Sequence, residues 1–124
     1  MTIQQVIERL SAATEYSRGL DRLIAEALGY KFVPKSEDKE AYWMSPDGEQ
    51  DVKIPRYTFS LDAAYQLALE LCPNSRGGAS WDNETGAARI GNAAYQVAAT
   101  TPIAICVATL EAKLAQEIAT LESK

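Results

Sequence analysis

Hydrophobic residues recur at helical spacing in four segments of the chain. The stripes contain Ile3, Val6, Ile7 and Leu10; Leu20, Leu23, Ile24, Ala27 and Leu28; Ala64, Leu67, Ala68 and Leu71; and Ile103, Cys106, Val107, Leu110, Leu114, Ile118 and Leu121. Spacing of three and four residues places each set on one face of a helix. The pattern predicts helices over about residues 2–13, 18–28, 61–72 and 102–121.

Capping residues support these boundaries. Short hydroxyl side chains satisfy the free N–H groups at a helix start, so they are favoured just before the first turn. Proline is tolerated in the first turn, and Pro102 occupies that place in the last helix. Gly29 fits the left-handed position that ends the second helix. The predicted N-caps are Thr2, Ser17, Ser60 and Thr101.

Short β-type segments separate the helices. They are 30–33, 41–44, 79–82, 87–90 and 93–99, with 52–54 before Pro55 as a further short edge strand. Turn residues such as Asp47-Gly48 lie between them. The order helix, helix, strands, helix, strands, helix predicts an α+β fold. We expect one domain over residues 1–124, a single alpha-beta-alpha sandwich in which helices cover a short antiparallel sheet.

Charge argues against some classes of partner. The chain of 124 residues has a net charge of −5, and its basic residues form no run. Because affinity for nucleic acid depends on clustered Lys and Arg, a long nucleic acid is not expected, while a small anion is compatible with the sequence. No segment approaches the length of a membrane span, and the first ten residues lack the apolar run of a signal peptide. We expect no membrane partner and a cytoplasmic location.

The chain contains no histidine. This excludes Ser-His and Cys-His dyads and imidazole ligands for a metal. Cys72 and Cys106 each fall within an apolar helical pattern, so we predict two buried thiols in a reducing compartment, with a disulfide as the alternative if the two helices adjoin. We therefore expect no catalytic residue, no metal site and no cofactor, and we do not expect an enzyme.

Several segments carry a resemblance to a known family. They are Pro55, Tyr57, Thr58, Asp62, Ala63 and Ala64; Ala99, Thr101, Pro102, Ala104, Ile105 and Cys106; LIAEALGYKF; and Trp43 before Ser45-Pro46-Asp47-Gly48. In this order, over about residues 20–115, the chain resembles the phage ABA sandwich family of small bacteriophage and prophage proteins. The resemblance implies an alpha-beta-alpha fold and a phage or prophage origin. It implies no activity and no catalytic residue, and the Phe59-Ser60 spacing before Asp62 departs from the family pattern.

One set of side chains could bind a nucleotide-type ligand. Guanidinium groups grip phosphates, aromatic faces stack on bases and an amide adds hydrogen bonds. The alternative is that the aromatic residues belong to the core or its rim and that the arginines lie on the surface. We expect Gly77 and Gly78 to allow a tight entry into the sheet. The alternative is that their amides, beside an arginine, hold an anion. The candidate ligand-binding residues are Arg56, Tyr57, Arg76, Trp81, Arg89 and Asn92.

Two functional hypotheses follow. The first is a non-catalytic phage accessory protein that acts against host defence by sequestering a nucleotide-type immune signal in the host cytoplasm. The alternative is a structural or protein-interaction module, a homo-oligomer or a binder of a host protein. In that case the alanine-rich helices 61–72 and 102–121 would associate through small residues such as Ala104, Ala108, Ala112 and Ala115.

Overall fold

The computed structural model describes residues 1–122 and contains four helices and five strands, in the order two helices, two strands, one helix, three strands and one helix. The helices are α1 (Ile3–Ala12), α2 (Arg18–Ala27), α3 (Leu61–Leu71) and α4 (Thr101–Glu122). The strands are β1 (Lys31–Val33), β2 (Tyr42–Met44), β3 (Gly77–Trp81), β4 (Gly86–Ile90) and β5 (Gln96–Ala98). The predicted α+β class is confirmed. Positions 123 and 124 of the predicted domain lie outside the described residues.

The strands form two antiparallel sheets rather than the single sheet that was predicted. Among the described residues β1 pairs with β2 alone, whereas β4 lies between β3 and β5 in the second sheet. The expected strand at 52–54 is wrong. Its one ladder-like contact is the N–H of Val52, which donates to the carbonyl of Trp43 at 3.1 Å. Pro55 follows directly and has no N–H with which to continue a ladder.

The helix caps agree with the sequence at three of four positions. Side chains of Thr2, Ser17 and Ser60 each accept a hydrogen bond from a backbone N–H in the first turn of their helix. At α4 the predicted cap Thr101 is wrong, because Thr100 takes the role. Its hydroxyl accepts from the N–H of Ile103 at 3.4 Å. Helix α4 therefore starts one residue earlier than the sequence predicted.

The core is built around α4. This helix packs against β4 and β5 on one side and against α1 and α3 on the others. Its first half is buried almost throughout, from Ile103 to Leu110, because helices or strands surround that part of it. Cys72 and Cys106 are both buried and free, so the thiol alternative is confirmed over the disulfide.

A buried polar network fixes the segment before α3. The carboxylate of Asp21 in α2 accepts hydrogen bonds from the backbone N–H of Thr58 at 2.8 Å and from the guanidinium of Arg18 at 2.8 Å. Arg18 also donates to the carbonyl of Ile54 at 2.9 Å. These bonds hold 54–58 against α2 and so set where α3 begins.

Candidate functional site

Two of the predicted ligand-binding residues lie in the segment before α3, and they have different environments. Tyr57 is only 3% exposed and belongs to the hydrophobic core. Burial raises the pKa of its hydroxyl far above the ordinary range. Arg56 is exposed, and its carbonyl accepts from the N–H groups of Phe59 and Ser60 in the turn that precedes α3. Tyr57 is therefore unavailable to a ligand that binds at the surface.

Arg76 and Arg89 do come together, in an open depression of about 200 Å³. Arg89 donates from Nε to the carbonyl of Gly91 at 3.1 Å, and its guanidinium lies 5.8 Å from the ring centre of Tyr95. Within residues 1–122 neither arginine forms a salt bridge. We call this site the arginine depression; its lining residues are Arg76, Gly77, Gly78, Arg89, Gly91 and Tyr95.

The last two predicted residues lie outside the arginine depression. Trp81 ends β3 opposite Gly86, at the far end of the strand from Gly77, and 77% of it is exposed. Asn92 is exposed in the turn between β4 and β5. The predicted set is thus divided among the segment before α3, the arginine depression, the end of β3 and a turn.

Sequence reasoning missed the free edge of β3. Within residues 1–122 this strand pairs with β4 on one side and with no strand on the other, and all five of its residues are exposed. Natural edge strands are commonly protected by a charged residue, a proline or a bulge. The strand Gly-Gly-Ala-Ser-Trp contains neither a charged residue nor a proline, and its register with β4 is continuous. The edge is therefore open to pairing with another strand.

Hydrogen bonds at the two ends of β3 show which backbone groups face that edge. The N–H of Gly91 donates to the carbonyl of Arg76, and the N–H of Asp82 donates to the carbonyl of Thr85. Hydrogen-bonded pairs alternate along an antiparallel ladder, so the even-numbered residues of β3 direct their backbone groups towards β4. The residues whose N–H and C=O groups point to the free edge are Gly77, Ala79 and Trp81.

An apolar groove of about 360 Å³ runs beside this edge, between α3 and β3. Two exposed side chains of α3, Tyr65 and Leu69, form one wall, and Leu61 continues their four-residue spacing. Gly77 keeps the floor open, since an added Cβ there would lie 3.3 Å from Cδ1 of Ile90. We call this feature the edge groove; its lining residues are Tyr65, Ala68, Leu69, Cys72, Ser75, Gly77, Gly78, Ala79, Ala88, Ile90 and Ile105.

A signal for the edge groove was present in the sequence. Leu61, Tyr65 and Leu69 form a second apolar stripe on the predicted third helix, beside the stripe assigned to the core. A helix that keeps a second apolar stripe exposed, after its first stripe is buried in the core, is typical of an interaction site. The alanine-rich faces are less available for association, because Ala104 and Ala108 are already buried against the rest of the chain.

A cysteine thiol lies in the edge groove. Cys72 lines the edge groove, but burial raises the pKa of its thiol, which keeps it protonated and weakly nucleophilic at neutral pH. Residues 1–122 contain no cluster of three or more cysteine or carboxylate side chains that could hold a metal ion. No helix within the same residues has both the length and the apolar character needed to cross a membrane.

Comparison with known proteins gives no assignment. No protein family model matches the chain, and neither the curated proteins nor the solved structures contain a significant match.

Proposed function

We propose that this chain is a non-catalytic protein-interaction module that binds its partner at the β3 edge and the edge groove. The observation that carries the proposal is the coincidence of an unpaired strand edge with the 360 Å³ apolar groove beside it. In strand addition, the edge backbone supplies affinity and neighbouring pockets select alternate side chains of the incoming strand. The β3 edge has both parts.

Exposed apolar surface supports the same function. Trp81, Tyr65 and Leu61 are each more than half exposed, and Leu69 is 42% exposed. Covering such side chains stabilises a complex by roughly 25 cal/mol for each Å² of apolar surface removed from water.

The resemblance to phage ABA sandwich proteins supports a phage or prophage origin, with the host cytoplasm as the place of action.

A photo-crosslinking amino acid in place of Ser80 tests this function inside the host cell. The side chain of Ser80 points to the face of β3 opposite the edge groove, so the probe leaves the groove open. The control probe replaces Glu8, which is exposed on α1. We expect discrete adducts from position 80 and none from position 8. If position 80 gives no adduct, or only the products seen from position 8, the proposal is wrong.

A second candidate, sequestration of a nucleotide-type immune signal, is favoured by the arginine depression. Two guanidinium groups beside Tyr95 are suited to a phosphate. At about 200 Å³, however, the arginine depression is smaller than the roughly 300–1,000 Å³ of most ligand pockets. A thermal-shift panel of cyclic nucleotides and ADP-ribose derivatives tests this candidate. A stabilising ligand whose effect is reduced by both Arg76→Ala and Arg89→Ala would support it.

A further inference from the structure

We infer that the partner at the β3 edge is a second copy of this chain, paired antiparallel through β3 with Ala79 opposite Ala79. The inference rests on the proposed function, because it uses the same edge and the same groove. Pairing of β3 with β3 joins the three-stranded sheets of the two copies into one continuous sheet about a two-fold axis. The contact is isologous, since the same residues of both copies meet each other.

The backbone of β3 allows this register. Gly77, Ala79 and Trp81 have their N–H and C=O groups directed at the free edge. When Ala79 faces its own copy, Gly77 faces Trp81 of the other copy. Each of these residues then has an outward-pointing partner, which an antiparallel ladder requires. A register displaced by one residue would set outward-pointing groups against groups already bonded to β4.

The side chains of β3 are also self-complementary in this register. Gly77 and Trp81 are paired within the chain with Ile90 and Gly86, two buried positions on the helix-covered face of the sheet. The indole of one copy therefore lies over Gly77 of the other, on the side of the edge groove. There it covers Tyr65 and Leu69, which are exposed in the single chain. The strand thus carries a large exposed side chain at one end and an open position for it at the other.

The charges that flank β3 match the same register. Arg76 precedes the strand and Asp82 follows it, and both are exposed. Pairing about Ala79 places Arg76 of each copy opposite Asp82 of the other, so the contact contains this ion pair at both ends. Within residues 1–122 Arg76 has no ionic partner of its own. Moving the register by two residues would separate both Arg76 from Asp82 and Gly77 from Trp81.

Proline substitution tests the edge directly. Ala79→Pro removes an N–H that points to the free edge and leaves the ladder with β4 intact. Val97→Pro is the matched control, because the register of β5 with β4 likewise directs the N–H of Val97 outward, at the opposite edge of the sheet. Sedimentation equilibrium of the wild type should give twice the chain mass of 13.5 kDa. We expect Val97→Pro to keep that mass and Ala79→Pro to halve it, with the circular dichroism of both unchanged.

Charge reversal tests the register. Arg76→Asp should weaken dimerisation about tenfold by placing like charges opposite each other at both ends. Asp82→Arg alone should also weaken it, because it adds the reverse repulsion and removes the acceptor of the β3–β4 turn. The double variant Arg76→Asp with Asp82→Arg should dimerise more tightly than either single variant, because the ion pair is re-formed in the opposite sense. Arg22→Asp, an equal charge change on the exposed surface of α2, should have no effect.

Some results would overturn the inference. They are a wild type with the mass of one chain at its highest soluble concentration, a dimer unaffected by Ala79→Pro, or an Arg76→Asp defect that Asp82→Arg does not rescue. Adducts from position 80 with a host protein, together with a monomeric wild type, would reject the second copy while retaining the interaction module. Absence of adducts at position 80 would reject both.

Discussion

Asp21 accepts hydrogen bonds from both the backbone N–H and the hydroxyl of Thr58, at 2.8 and 2.7 Å. Both residues are buried, and the guanidinium of Arg18 lies on the other oxygen of the carboxylate at 2.8 Å. The buried carboxylate is therefore fully paired. The acidic partner of Thr58 is therefore Asp21, which is 37 positions away, rather than Asp62, which is closer in the sequence.

We expect Asp21→Ala to lower the free energy of unfolding by about 2–4 kcal/mol, because it leaves the buried N–H of Thr58 without its acceptor and leaves Arg18 with carbonyl partners only. Equilibrium denaturation with urea measures the change. Asp62→Ala is the control, since Asp62 is an exposed carboxylate in the first turn of α3 and should cost less than about 1 kcal/mol. Equal losses in the two variants would contradict this role of Asp21.

Thr109→Val should stabilise the protein by about 1 kcal/mol. Its hydroxyl is the one buried side-chain polar atom in residues 1–122 that has no hydrogen-bond partner, and valine has nearly the same shape. Thermal unfolding followed by circular dichroism would show a higher Tm. Thr109→Ser keeps the hydroxyl and loses a methyl group, so it should lower the Tm. A Val variant less stable than the wild type would show that the hydroxyl is satisfied.

Gly86→Ala should destabilise the fold by more than about 2 kcal/mol, because an added Cβ would overlap the backbone of Thr100 and Thr101 where α4 begins. The control is Gly78→Ala on the neighbouring strand. A Cβ there meets only the hydroxyl of Tyr95, at 3.8 Å. Urea denaturation should therefore separate the two variants clearly, and similar stabilities would refute the close approach of β4 to α4.

Acid should weaken the β3–β4 turn through Asp82. The N–H groups of Glu84 and Thr85 donate to its carboxylate and lower its pKa below the ordinary value of 3.8. A carboxylate whose pKa is lower in the folded than in the unfolded chain stabilises the fold at pH values above its ordinary pKa. That stabilisation is lost as the pH falls through the pKa of the folded state. A carboxylate titration by NMR should show Asp82 titrating below the ordinary value of 3.8. Asp82→Asn should remove this part of the acid sensitivity, and an unchanged pH profile would contradict it.

Local signals predicted the helices well, because a cap and an apolar stripe lie close together in sequence. The error at α4 arose where two threonines, Thr100 and Thr101, are adjacent and only the hydrogen bond to Ile103 distinguishes them. The Asp21–Thr58 pair could not be predicted, because its members are far apart in sequence and meet only when α2 packs against the segment before α3. A buried aspartate resembles any other acidic residue in a sequence.

The candidate site was predicted only in part, for a related reason. Arg76 and Arg89 meet because β3 and β4 pair in a register that sets Gly78 opposite Arg89, and composition does not determine register. The free edge was missed because Gly77 and Gly78 are poor strand formers, so the predicted strand started at Ala79. The aromatic ring of Tyr57 is of the kind that stacks on a base, yet it belongs to the hydrophobic core.

The two edges of the three-stranded sheet are unequal: β3 offers five residues and β5 only three. If β3 pairs with β3, the longer edge of each copy is covered and the β3 contact closes as a dimer. If β3 were to pair with β5 of another copy, every added chain would present a new β3 and assembly would continue into a filament. Under the proposed pairing, the Arg76 and Asp82 charges beside β3 therefore help to keep this protein from polymerising.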